Sequence, residues 1–317
     1  MWAYVFRRLI YNVPVYLGIL FLVMVMLRVR DPVYAYLGKN STPAQMSEMR
    51  HEMGLDKPLF TQYGELLWSI VRFDFQKESW EHRGMSVGQK IRMAIIPSLA
   101  ITLPALVITT ILSVGVGMIS AYFRGRTTDR VMVIGAVVGM SVSFLVYIIL
   151  GQKFGTLWLR EQTGIEVFAI SGYDPDPRFW AYYCLLPVII SVIVAMGYDT
   201  RFYRAVMVEE CGRDYITTAL AKGATKEKIM FVHMLKNAMI PIITRVAITL
   251  PFLITGSILL EMYFSIPGMG QVLIQAVRAK DLPVIEAFTA MFAAFYILTN
   301  ILTDVLYAVV DPRVRLQ

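Results

Sequence analysis

The residues that could perform chemistry in this chain do not form a common catalytic or nucleotide-binding motif. Gly38-Lys39 is followed by Asn40 and lacks the upstream glycine of a phosphate-binding loop. Gly268 and Gly270 lack the third glycine of a dinucleotide-binding loop, and His51-Glu52 lacks the second histidine of a zinc-protease helix. The sequence therefore predicts no catalytic residue, no metal site and no cofactor bound by this chain.

The cysteines and the remaining histidines do not change this interpretation. Cys184 falls in an apolar stretch and Cys211 in a polar one, so the two are not expected to form a disulfide framework. His82 and His233 lie in different predicted compartments and cannot share a metal. We interpret both cysteines as inert thiols.

The composition places the chain among membrane proteins. Of its 317 residues 57% are apolar, and the mean hydropathy is +0.58. Soluble domains average about 45–50% apolar residues. The net charge of +7 could indicate nucleic-acid binding, but basic loops on one side of a membrane explain it more simply. We therefore predict an all-α polytopic protein that contacts lipid and binds no nucleic acid.

Six apolar stretches are long enough to cross a bilayer. The first, Leu9–Leu27, follows Arg7-Arg8 and precedes no small-residue cleavage site, so we interpret it as a retained membrane helix within residues 1–27. No flexible linker interrupts the chain, which predicts one domain: an external segment, 28–94, a membrane core, 95–310, and a short cytoplasmic tail, 311–317. Within the core the spans are predicted at about 95–123, 131–154, 182–198, 240–260 and 287–310.

The distribution of basic residues predicts the orientation. The N-terminal tail, the loops at 124–130 and 201–236 and the C-terminal tail carry 14 Lys and Arg residues, whereas the loops after the third and fifth spans carry five. By the positive-inside rule the first set faces the cytoplasm. Both termini and the loop 199–239 are then cytoplasmic.

The segment 28–94 contains two predicted helices. Thr42-Pro43 begins the first and Gly54 ends it, while Asp56-Lys57-Pro58 precedes the second. The segment is too small to hold a core of its own, so we expect an external cap or docking surface.

A polar stretch, Asp214 to Pro241, lies between two apolar runs and predicts a helical elbow. The residues before Gly223 favour a short helix, and glycine adopts the left-handed conformation of a helix end at little cost. Thr225 is a plausible N-cap of a second helix that enters the membrane near Pro241. Such an elbow can carry force from a partner outside the bilayer to the spans.

The elbow resembles the cytoplasmic coupling loop of ABC-importer permeases, most closely those of the dipeptide, oligopeptide and nickel group. The resemblance rests on Tyr215-Ile216-x-Thr218-Ala219-x-Ala221-Lys222-Gly223-Ala224, followed by His233, Leu235, Asn237-Ala238 and Pro241. Thr217 and Thr218 replace the Glu-Ala of the wider class, a departure that the peptide group shares.

Further motifs extend the resemblance over almost the whole chain. They are Leu55-Asp56-Lys57-Pro58, Gln62-Tyr63, Thr255-Gly256-Ser257, Ile266-Pro267-Gly268-Met269-Gly270, Lys280-Asp281 with Pro283-Val284, and Asp311-Pro312-Arg313. In place of a glycine-containing Gly-Asp-Phe-Gly element this chain has Phe73-Asp74-Phe75-Gln76.

The resemblance implies a type I importer permease in a bacterial or archaeal inner membrane. It implies a homologous second permease, two cytoplasmic ABC ATPases that hold ATP and Mg²⁺, and an external solute-binding protein, with peptides or similar small solutes as substrates. No residue can be assigned to substrate binding. The residues implied in ATPase coupling are Asp214, Tyr215, Thr218, Ala219, Ala221, Lys222, Gly223 and Ala224.

Other classes stay open at this stage. A stand-alone secondary carrier or channel would also be polytopic, but no acidic residues cross the centre of a span, and a membrane-embedded enzyme would need a nucleophile–base or metal constellation. The elbow could also be an ordinary loop. We interpret Lys153, Arg245, Glu261 and Asp304, which lie near predicted span ends, as structural.

Overall fold

The computed structural model describes residues 2–29, 31–37, 41–251, 253 and 257–310, and within these ranges it is helical. The predicted tail 311–317 and the motif residues Gly256 and Asp311 lie outside the described residues. The α-helices are α1 Trp2–Arg28, α2 Pro43–Glu52, α3 Leu59–Val71, α4 Val87–Tyr122, α5 Thr127–Ser141, α6 Phe144–Gln152, α7 Leu159–Thr163, α8 Trp180–Cys211, α9 Asp214–Ala221, α10 Lys226–Lys228, α11 Leu235–Thr249, α12 Ile258–Tyr263, α13 Met269–Ala279 and α14 Leu282–Val310. Residues of π-helical geometry join α6 to α7 and α10 to α11.

Among the described residues, five helical segments are long and apolar enough to cross a membrane: Phe6–Arg28, Val87–Tyr122, Pro177–Cys211, Lys226–Thr249 and Leu282–Tyr307. A bent pair, Thr127–Ser141 with Phe144–Thr163, would supply the sixth if it acts as one span. The all-α polytopic prediction is confirmed, and the boundaries of several spans differ from those predicted.

The helix that contains the predicted fourth span is longer than that span. The span was predicted at about 182–198, and α8 continues to Cys211. The charge of Asp199, just beyond the predicted span, is paired with Arg245 of α11.

The third predicted span is not straight. α5 and α6 meet at 90° across Val142 and Ser143, which both have extended backbone. The Tyr147 hydroxyl donates to the carbonyl of Gly139 at 2.9 Å, so one of the acceptors released at the end of α5 is satisfied. The tyrosine thus stabilises a bend that the apolar run conceals.

The predicted fifth span, 240–260, contains the second half of α11, which ends at Thr249. Residues 252 and 254–256 of this span lie outside the described residues.

The chain divides into two compact units. One comprises Met1–Ser98 and Pro267–Ile301, and the other Leu99–Ile266 and Leu302–Gln317. The first unit therefore contains the external segment together with α1, α13 and the start of α14. The external segment is the part that the sequence predicts to be too small for a core of its own.

The start and end predicted for the first helix of the external segment are confirmed. Thr42 accepts a hydrogen bond from the Gln45 amide, while the Gln45 side chain accepts one from the Thr42 amide, so α2 begins with a capping box. Gly54, just beyond α2, has a φ of +67°. Phe73, at the first glycine position of the family element, has a φ of +53°, so the turn keeps the glycine-like conformation without a glycine.

A buried carboxylate ties the external segment to the start of α14. Asp281 is fully buried and accepts hydrogen bonds from the Ser79 hydroxyl and from the Trp80 and Glu81 amides, the last two at 3.2 and 3.4 Å. The ammonium of Lys90 lies 3.5 Å from the same carboxylate. A buried carboxylate with several donors is well stabilised, whereas its partners lose those bonds if it is removed.

We predict that Asp281→Ala lowers the free energy of unfolding by about 3 kcal/mol or more, because the Ser79 hydroxyl loses its buried acceptor and the buried Lys90 ammonium loses one carboxylate, keeping Glu81 at 3.8 Å and His82 at 3.1 Å. Thermal unfolding of the purified chain in detergent measures this change. Glu48→Ala, at an exposed position of α2, is the matched control and should leave the transition unmoved. Equal transitions for the Asp281 and Glu48 variants would contradict the assigned role of Asp281.

In the second unit α8 packs closely on its neighbours through glycines. A Cβ built on Gly197 would lie 2.8 Å from the backbone nitrogen of Met140 on α5. A Cβ on Gly117 of α4 would lie 2.9 Å from the backbone nitrogen of Arg204 on α8. Since real Cβ contacts are never this short, both helix crossings require glycine.

Candidate site for coupling to a partner

The elbow forms as its sequence predicts. α9 ends at Ala221, and Gly223 adopts a φ of +76°. The Ala224 amide donates to the Ala219 carbonyl at 3.0 Å and the Gly223 amide to the Leu220 carbonyl at 2.9 Å, which together make a Schellman motif. Thr225 then caps the second helix by accepting from the Lys228 amide. The chain is helical from Lys226 to Thr249.

One face of the elbow packs on the spans of its own unit. Ile216 and Ala219 are buried in a cluster with Tyr203 and Met207 of α8 and with Met118 of α4. Ile229, Met230, Met234, Ala238 and Ile242 complete this cluster from the second arm of the elbow. The elbow is therefore continuous with the cores of three long helices.

An open groove of about 550 Å³ lies beside this cluster. Six of the eight residues predicted for coupling line it, together with three further residues, Thr225, Lys228 and His233. The six are Tyr215, Thr218, Ala219, Lys222, Gly223 and Ala224. The lining contains lysine and histidine but no carboxylate, so the groove favours an acidic or neutral partner surface.

The predicted residues do not all face the same way. Ala219 lies at the groove but is 7% exposed, because its methyl group packs inside the chain's own cluster. Asp214 and Ala221 are exposed and lie outside the groove lining. Asp214 stands in the first turn of α9, where a negative charge suits the helix dipole. The Ala219 side chain therefore packs within the chain and shapes the elbow. That Ala219 also contacts a partner, through its backbone, stays a prediction.

The Tyr215 side chain is fixed by a hydrogen bond. Its hydroxyl donates to Glu210 at 2.5 Å, and burial, followed by this hydrogen bond, raises the pKa of Tyr215. The phenol therefore stays neutral at physiological pH. Its ring lines the groove while its hydroxyl fixes α9 to the end of α8.

The residues predicted for coupling do not include Leu220, Lys228 or His233, although His233 belongs to the motif that carries the family resemblance. The Leu220 side chain is 57% exposed near the end of α9. Lys228 and His233 line the same groove as Lys222, which spacing along the sequence does not show, because the turn at Gly223 brings the two helices together.

A buried ion pair fixes the helices on which the elbow rests. Arg204 of α8 donates to both carboxylate oxygens of Asp129, at 2.7 and 2.8 Å. The same carboxylate accepts from the Ser120 hydroxyl at 2.6 Å and the Gly125 amide at 2.9 Å. The Asp129 side chain is 6% exposed. Bidentate, charge-assisted geometry of this kind holds α4, α5 and α8 in a single arrangement.

A second ion pair joins α8 to α11. Arg245 donates to Asp199 at 2.8–2.9 Å and also lies over the Phe202 ring, 5.6 Å from its centroid. Arg245 was interpreted as structural, and this pairing agrees with that interpretation. The first arm of the elbow, α9, follows α8 in the chain, and the Arg245–Asp199 pair joins the helix of the second arm to α8 as well.

The described part of the chain contains no group of three or more His, Cys, Asp or Glu side chains placed to hold a metal. Cys184 and Cys211 are free thiols.

Comparison with known proteins agrees with this architecture. Residues 113–316 match the family described as the binding-protein-dependent transport system inner membrane component, and residues 1–89 match the N-terminal component of such membrane proteins. The chain belongs to this inner membrane component family. A protein of Brucella abortus named as a peptide transport system permease is 30% identical over 99% of both chains. The dipeptide transport system permease protein DppB of Escherichia coli is also 30% identical over 99% of both chains.

Membership in this family confirms the resemblance drawn from the elbow and the other motifs. The chain is the permease subunit of an ABC importer and a multi-pass protein of the inner membrane. A stand-alone carrier or channel is not favoured. The family also gives the elbow a context, since such a permease is one component of a larger transport system.

We predict that Arg204→Met lowers the free energy of unfolding by about 3–5 kcal/mol, because it leaves the Asp129 carboxylate buried without its cation. Thermal denaturation in detergent is the measurement. Glu209→Gln on the same helix is the control; its carboxylate is 69% exposed, so the loss should stay below about 1 kcal/mol. Similar melting of both variants would show that the buried pair does not hold the helices.

Proposed function

We propose that this permease moves peptides or similar small solutes into the cell, driven by ATP that two separate ABC ATPases bind with Mg²⁺ and hydrolyse. A homologous second permease completes the pathway, and an external solute-binding protein delivers the cargo. The names of the relatives, which refer to peptide and dipeptide transport, support the substrate class.

The observation that carries this proposal is that the elbow is both packed inside the chain and open beside that packing. Its buried residues contact α4, α8 and the helix that leads to Thr249, and an open groove adjoins this cluster. A force applied at the groove therefore moves the ends of these helices as one body, since close-packed cores transmit displacement with little compression.

The chemistry of the exposed side defines the ATPase surface that would fit it. Lys222, Lys228 and His233 line the groove, and Leu220 projects beside it. We therefore expect an acidic rim on the ATPase around an apolar pocket that accepts Leu220. Charged rims mainly guide association, whereas a buried apolar contact contributes more to affinity.

The distribution of Lys and Arg supports an orientation with both termini and the elbow in the cytoplasm. Under this orientation the external segment faces the solute-binding protein, and the elbow faces the ATPases.

Purification of the tagged chain from its own host in mild detergent, with and without prior crosslinking, tests the subunit composition. We expect one related permease and ATPases that carry a phosphate-binding loop, together with ATP hydrolysis by the preparation. A chain recovered alone after crosslinking, with uptake that depends on an ion gradient, would contradict the proposal.

We further predict that Gly223→Val leaves the protein inserted but uncouples ATP hydrolysis from uptake. No atom lies within 4 Å of a Cβ at this position, so the defect arises from backbone conformation and not from a clash. A β-branched residue at positive φ costs about 1–2 kcal/mol, which lowers the population of the elbow conformation about 5- to 30-fold.

Uptake and ATP hydrolysis measured in the same proteoliposomes check this prediction. Gly223→Asn is the matched control, because asparagine tolerates the left-handed region and should retain most transport. Normal uptake by the valine variant would remove the requirement for a rigid elbow.

A further inference from the structure

Helix α3 of the external segment carries a largely exposed apolar face. Phe60, Trp68 and Val71 are 75%, 57% and 70% exposed. At 100° per residue these side chains and Gly64 lie within an arc of about 80°. The face contains no charged side chain, whereas Glu65 and Arg72 lie beside it.

Phe60, at one edge of this face, and Tyr63 beside it pack on α1. This contact locates α3 relative to the membrane. The Phe60 ring stacks on Phe21, with centroids 6.0 Å apart, and the Tyr63 ring meets Phe21 edge-on at 5.4 Å. The Tyr63 hydroxyl donates to the carbonyl of Leu17 at 2.8 Å.

The contacted part of α1 lies inside the bilayer. Between Arg8 and Arg28, α1 carries 19 uncharged residues, which span about 28 Å and match a hydrocarbon core of about 30 Å. Phe21 is seven residues from Arg28, which places it about 10 Å inside this apolar stretch. The rings of Phe60 and Tyr63 therefore reach hydrocarbon depth.

The polar side of α3 points back to the level of Arg28. The guanidinium of Arg28 donates to Gln62 at 2.8 and 3.0 Å and pairs with Glu286 at 2.8 Å. The guanidinium of Arg72 lies 4.3 Å from the centroid of the Trp68 ring. Tryptophan beside arginine is typical of the membrane–water interface, where an apolar ring and a charged group are both accommodated.

We propose that α3 lies in the bilayer interface, with Phe60, Trp68 and Val71 against the lipid acyl chains of the leaflet that holds the Arg28 end of α1. Acyl chains are the occupant because the exposed face is continuous, through the Phe60–Phe21 stack, with a helix that spans the membrane. The exposed residues Leu22 and Met26 of α1 extend the same apolar surface. The expected external cap is thus partly embedded and anchored to lipid.

Tryptophan fluorescence in nanodiscs tests this placement. The full-length chain, with any subunits that it retains, is reconstituted into lipids with brominated or unmodified acyl chains. The emission of Trp68 is obtained as the difference between the wild type and Trp68→Phe. We expect brominated lipid to remove most of this emission and aqueous iodide to remove little.

Trp80→Phe provides the matched comparison. Trp80 belongs to the same segment but packs edge-on against Tyr36, so we expect its emission to be insensitive to brominated lipid. Quenching of Trp68 by iodide would overturn the proposal in favour of a water-exposed face. Protection of Trp68 from both quenchers when the second permease is present would overturn it in favour of a protein interface.

Cysteine labelling gives a second measurement that does not depend on tryptophan. Val71→Cys should resist a membrane-impermeant maleimide in nanodiscs, whereas Glu65→Cys, on the polar side of α3, should react. Equal and rapid labelling of both positions would overturn the lipid contact. Both variants replace exposed side chains, so the fold should be retained.

Discussion

The bidentate pair between Arg204 and Asp129 is the interaction on which the elbow unit depends. It joins α8 to the first turn of α5, and through Ser120 it includes α4. An ion pair of this kind is stable in a low-dielectric setting because every donor and acceptor around the carboxylate is satisfied. Without it α8 would keep its glycine contacts but lose the charge balance that defines one arrangement of the three helices.

The consequence for function is mechanical. α8 leads directly into α9, and the buried face of α9 packs into the same cluster as the inner ends of α4 and α8. The Arg245–Asp199 pair adds α11, which follows the second arm of the elbow. Under the proposed function, a partner moves the elbow and the attached helices change access, and these contacts would supply the rigid connection between the two.

In the first unit, charged side chains attach the external segment to the long helices. Asp281 and Arg28 hold the external segment to α14 and α1 by buried or half-buried charge contacts, which compensate for the absence of a separate apolar core. The aromatic contacts of α3 with Phe21 also join this segment to α1. They carry our proposal that this segment, predicted from the sequence as an external cap or docking surface, lies against lipid.

The sequence by itself determined the local and compositional features: the polytopic class, the capping of α2, the turn at Gly223, the cap at Thr225 and the family. These features depend on residue type and on spacings of a few residues, so they can be predicted without knowledge of the tertiary contacts. Only the tertiary structure decided that α8 passes Asp199, that α5 and α6 meet at a right angle, that Ala219 is buried and that Lys228 and His233 share a groove with Lys222. The physical reason is that the role of a charged residue, an alanine or an exposed leucine depends on the residues that it contacts. Residues distant in sequence come into contact only through folding.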